Sequence, residues 1–104
     1  MAEFYACHFG FSIVRSATDR IVELRPRSTG IALLLHPAGS RQKEGQALVK
    51  LVFDVEDVPK FRAAAKENGL RVGKIHQAEG YAFANAKDPS KNPIQESSRA
   101  FGML

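Results

Sequence analysis

Lys50 interrupts a stretch, residues 48–55, that is otherwise largely apolar. An ammonium in such a place can anchor a polar group of a ligand, or serve as the charge that keeps an edge strand from aggregating. Tyr81, Phe83 and Asn85 alternate along the chain, so in a strand they share one face. That face can pack a core or stack on a ligand. His8, His36 and His76 are far apart and show no metal-ligand spacing. They read as surface or strand-end histidines, with His36 the one considered for lining a cavity. Cys7, on a short helical stretch beside Phe4, reads as a small packed apolar residue rather than a reactive thiol. Asn92 reads as a residue that shapes its turn.

The elements that position these residues follow from pattern. Residues 2–8 predict a short helix, with Gly10 at the left-handed terminator. Residues 12–16 and 21–25 predict strands with a turn at Asp19-Arg20, and Pro26 ends the second. Residues 31–36 are apolar on both faces, which predicts a strand covered on both sides. The polar, glycine-containing segment 38–46 predicts a loop. Residues 48–55 form the clearest strand, with Val49, Leu51, Phe53 and Val55 on one face and Leu48, Lys50, Val52 and Asp54 on the other. Asp57 then caps a helix with Pro59 in its first turn. Val58, Phe61 and Ala65 should pack on the Leu51/Phe53 face. Residues 71–76, 81–87 and 93–98 predict three further strands, with a turn over 88–92. Residues 100–104 read as a tail or packing arm.

Phe9-Gly10-Phe11 and Asn68-Gly69-Leu70 occupy equivalent places, 59 residues apart. Such a repeat fixes the architecture. It predicts an α+β chain of two strand-helix-strand-strand-strand modules, the first lacking its opening strand: residues 1–47 as a truncated module and 48–104 as a full one, in one domain.

Hydrophobic content of 44% and charged content of 25% are ordinary for a folded domain. No apolar run approaches a membrane span. The single cysteine excludes an internal disulfide and points to a reducing cytoplasm. The net charge of +4 is scattered along the chain, without a nucleic-acid-binding signature, so neither nucleic acid nor membrane is an expected partner.

Four segments carry a resemblance. Phe4-Tyr5-x-x-x-Phe9-Gly10-Phe11 resembles the "FYxxxLGF" segment of the vicinal oxygen chelate superfamily, which includes glyoxalase I, bleomycin resistance proteins and extradiol dioxygenases. Residues 31–37 resemble its "LxLHP" strand, and 53–58 its "FxVdDv" junction. Residues 80–94 resemble "GyxFaxxxDPxGNxI", with Lys91 in place of glycine. The resemblance implies paired βαβββ modules forming a curved mixed-sheet cup, a homodimer and a small-molecule ligand.

It also implies a metal pattern that this sequence departs from. One typical ligand lies on a strand this sequence lacks. The others fall at Leu34, Lys50 and Gln95, of which only Gln95 could ligate. A shift of one residue would instead turn Glu96, and with it His36, toward the cup. The expectation is no cofactor and no catalytic residues, with Lys50, Val52, Leu34, Gln95, Tyr81, Phe83 and Arg25 touching ligand. The alternative is a lyase or dioxygenase using Ni, Zn, Mn or Fe as a Lewis acid. A third reading is a degenerate member with a structural or regulatory role.

Overall fold

Asp57 opens a helix as its side chain predicts: Oδ1 accepts from the Lys60 amide at 3.0 Å, with Pro59 in the first turn. In the computed structural model the described residues are 1–15, 17–18, 20–28, 30–46 and 49–102. Ser16, Asp19, Ala47, Leu48, Met103 and Leu104, which the sequence reading places in strand ends, a turn, the module boundary and the tail, lie outside them. Two units divide the chain, Met1–Lys43 and Glu44–Leu104.

In the first unit, α1 (Ala2–Phe9) precedes β1 (Ser12–Arg15), β2 (Val22–Arg25) and β3 (Leu33–Leu35). The helix ends at Gly10, whose φ of 73° is left-handed as expected. The strands form an antiparallel sheet in the order β1-β2-β3. Ile13, Leu24 and Leu33 are register partners, so they share a face. Leu24 on that face and Tyr5 on α1 are buried, and α1 contacts β1 and β2. Glu23, Arg25 and Leu34 lie on the other face.

The strand expected over 31–36 is shorter and barer than predicted. It spans three residues, and Ile31 and Leu34 are 82% and 54% exposed. Apolar character on both faces did not mean cover on both faces. Among the described residues of this unit, one helix, α1, lies on the sheet, and it covers one face.

In the second unit, β4 (Leu51–Asp54) and α2 (Val58–Glu67) precede β5 (His76–Ala78), β6 (Tyr81–Lys87) and β7 (Pro93–Ser97). The sheet order is β4-β7-β6-β5, with β4 parallel to β7 and the other pairs antiparallel. A parallel neighbour needs a crossover, and α2 supplies it. Leu51, Phe53, Ile94, Glu96, Ala82, Ala84 and Ala86 share one face by register. Ala84, Ile94 and Glu96 are at most 1% exposed there, and α2 contacts β6 while burying Val58 and Ala65. The three alanines allow the helix to lie close. The opposite face carries Val52, Gln95, Asn85, Phe83, Tyr81 and His76.

Residues 71–75 were expected in a strand but form none. Arg62 Nε donates to the Val72 and Gly73 carbonyls, at 3.2 and 2.9 Å, and so occupies acceptors a ladder would use. The regular ladder begins at His76, although the Gly73 amide already donates to the Asn85 carbonyl at 2.8 Å. The turn at 88–92 is held by buried Asp88, whose carboxylate accepts from the Ser90 and Asn92 amides and from Asn92 Nδ2. Lys91 takes a left-handed φ of 65° in this turn, where glycine costs least. The chain end forms a 3-10 turn, Arg99–Phe101.

Candidate functional site

β6 runs Tyr81-Ala82-Phe83-Ala84-Asn85-Ala86-Lys87. Its small residues face α2, and its large and polar residues face the other way. Register sets Asn85 opposite Gln95, and Gln95 opposite Val52. Lys50, just before β4, reaches the same place. Its Nζ donates to Asn85 Oδ1 over a long 3.5 Å, and Gln95 Nε2 donates to the same oxygen at 3.1 Å.

This arrangement fixes the polarity of the cluster. A protonated lysine can only donate, so Asn85 must turn its oxygen to it. Gln95 then turns its nitrogen to that oxygen. Asn85 Nδ2 and Gln95 Oε1 remain without a partner among the described residues.

Beside the amides lies an aromatic row. The Phe83 and His76 rings stack at 5.0 Å and 17°. Tyr81 follows, its ring centroid 6.2 Å from that of Phe83. The Arg99 guanidinium sits 5.5 Å above the Tyr81 ring, within cation–π range. The face therefore offers a flat apolar surface next to hydrogen-bond donors.

Of the residues singled out in the sequence, Lys50, Val52, Gln95, Tyr81 and Phe83 are on this face. Arg25 and Leu34 belong to the first unit, on the sheet face away from α1, and Arg25 is paired with Glu23. His36 is exposed just beyond β3.

Glu96, the ligand offered under a shifted register, points the other way. It is paired with Phe53 and Ala84 on the α2 face. It is fully buried, and neither carboxylate oxygen has a hydrogen-bond partner. Desolvation pushes its pKa up to about 7.

The donors on the open face do not suit a divalent metal. They are an ammonium, which repels it, two amides, one with its oxygen already engaged, and one imidazole and one carboxylate, His76 and Asp54, on different strands. Among the described residues no three His, Cys, Asp or Glu side chains converge.

Three members of the site were not assigned from sequence. Asn85 was grouped with Tyr81 and Phe83, but its bridging role depends on cross-strand register. His76 read as a strand-end histidine. Arg99 lies in a segment with no periodic signal at all.

The sequence model described as the Glyoxalase/Bleomycin resistance protein/Dioxygenase superfamily matches residues 1–95. No curated protein matches the chain in sequence. Among solved structures, TnmS3, an antibiotic binding protein from Streptomyces sp. CB03234, is similar with a TM-score of 0.73 and 21% identity, over 91% of this chain and 80% of that one. A superfamily member from Sphaerobacter thermophilus DSM 20745 gives 0.71 and 18%, over 92% and 83%. A bleomycin resistance determinant encoded on transposon Tn5 gives 0.67 and 21%, over 92% and 83%. At these identities the likeness is one of fold.

Proposed function

Because the chain belongs to the glyoxalase/bleomycin resistance protein/dioxygenase superfamily, we propose that it binds a small organic molecule on the face of its second sheet away from α2, without a catalytic metal. The observation that carries this reading is the pairing of an ordered polar cluster, Lys50–Asn85–Gln95, with the Phe83–His76 stack on one surface. Flat apolar area gives contact, and a few placed polar groups give orientation. An antibiotic binding protein and a bleomycin resistance determinant among the structural neighbours support a binding role. The fold alone does not choose between binding and catalysis, since function resides in the site. The donor set favours binding, because a Lewis-acid mechanism needs several converging ligands, and among the described residues no three His, Cys, Asp or Glu side chains converge.

The test is an NMR titration of isotopically labelled protein with a panel of aromatic small molecules and antibiotics. Saturable shifts at Lys50, Phe83, Asn85 and Gln95 are expected. A panel that moves none of these signals overturns the reading. In parallel, calorimetric titration with Ni²⁺, Zn²⁺, Mn²⁺ and Fe²⁺ should show no tight site. One metal per chain, with metal-dependent turnover, would restore the lyase or dioxygenase alternative. A homodimer in a reducing cytoplasm completes the proposal, and sedimentation at several concentrations measures the first part.

A further inference from the structure

We infer that the ligand class of this face is a planar aromatic compound carrying an oxyanion, with its ring on the Phe83–His76 stack and its charged oxygen at Lys50 and Asn85. The inference rests on the binding reading above and narrows it. Its basis is the direction of the hydrogen bonds inside the cluster.

Asn85 Oδ1 receives both Lys50 Nζ and Gln95 Nε2. The one amide oxygen at the centre is therefore occupied from within the protein. What the centre still offers is mostly donors: the Asn85 amide hydrogens and the remaining hydrogens of the Lys50 ammonium. A ligand atom placed there must accept. An anionic oxygen accepts from both more strongly than a neutral carbonyl does, because such hydrogen bonds are charge-assisted. Gln95 Oε1 is the exception, an acceptor at the rim, and suits a hydroxyl or amine beside the anionic group.

Charge on the surrounding face agrees. Lys50, Lys87 and Arg99 stand against one carboxylate, Asp54, among the side chains of this face. Phe83 lies two residues from Asn85 on the same strand face. An aromatic ring resting on Phe83 thus brings a substituent within reach of the donors. A ligand whose polar end is a cation would meet the ammonium head-on and find the central Asn85 oxygen already engaged, with Gln95 Oε1 at the rim left to accept.

The experiment compares three probes of one shape: 2-naphthoate, neutral 2-naphthamide and cationic 2-naphthylmethylamine. Binding is followed by NMR shifts in the unmodified protein and in Lys50→Met and Phe83→Leu, both checked for an unchanged fold by their amide spectra. Naphthoate should bind about tenfold or more tightly than naphthamide. Lys50→Met should reduce naphthoate to about the level of naphthamide and weaken naphthamide much less. Phe83→Leu should weaken both alike.

If the three probes bind equally, or the amine binds tightest, the oxyanion inference fails. The binding reading stands in that case provided Phe83→Leu still weakens them. If no probe binds, or all bind regardless of both substitutions, the two readings fail together.

Discussion

Gln95 and Glu96 are neighbours in the chain and point to opposite faces of the same strand. Gln95 donates to Asn85 at 3.1 Å on the open face, while Glu96 is sealed under α2 with no partner for either oxygen. One residue of register separates a group on the proposed binding face from a group buried at a cost to stability.

That cost depends on pH. Folded, Glu96 keeps its proton up to about pH 7; unfolded, it loses it near its ordinary value of 4.5. Between these values the folded state binds more protons. Its contribution therefore falls as pH rises through the window, by about 3 kcal/mol at most, and is level above it. Urea unfolding between about pH 5 and about pH 8 measures this. Glu96→Leu should remove this fall and stabilise the protein at the alkaline end. If protein and variant share one pH profile, Glu96 is not the group responsible.

Asn85→Asp tests the site through charge. The carboxylate still accepts from Lys50 and Gln95, so the fold should be kept. It removes the amide donors and sets a negative charge where an oxyanion would sit. Affinity for 2-naphthoate should drop by about tenfold or more. An unchanged titration would show that Asn85 does not face the ligand.

Lys91→Gly should stabilise the protein. The left-handed conformation costs a side-chain-bearing residue about 1–2 kcal/mol, and the added freedom of unfolded glycine takes back part of this. A net gain of about 0.5 kcal/mol in chemical denaturation is expected, whereas Lys91→Val should lose stability.

Asp88→Ala should cost about 1–3 kcal/mol, since the Ser90 and Asn92 amides lose their acceptor in a largely buried turn. Denaturation midpoints check the loss. A loss confined to ligand binding, with the midpoint unchanged, would give Asp88 a different role.

Much of the fold was legible because its signals are local. Gly10 and Asp57 end and start helices through their own backbone and side chain. The alternation from Tyr81 to Lys87 announces a strand with two unlike faces. The site was legible only in part. Lys50 stood out as a charge in an apolar run, but its partner Asn85 is fixed by pairing between strands far apart in sequence. His76 was placed at the end of a strand that in fact starts there, because Arg62 reaches across to take carbonyls that the pattern assigns to a ladder. The bare β3 went unread since composition records how apolar a segment is, and not whether anything lies over it.

The alternation in β6 has a consequence for variation. Ala82, Ala84 and Ala86 keep the helix seated, while Tyr81, Phe83 and Asn85 look away from it. If the outward side is the binding face proposed above, substitutions there should retune what is recognised without disturbing how the chain folds. A library confined to those three outward positions should yield folded proteins of altered selectivity, so that this one strand separates the adaptable part of the molecule from the constrained part.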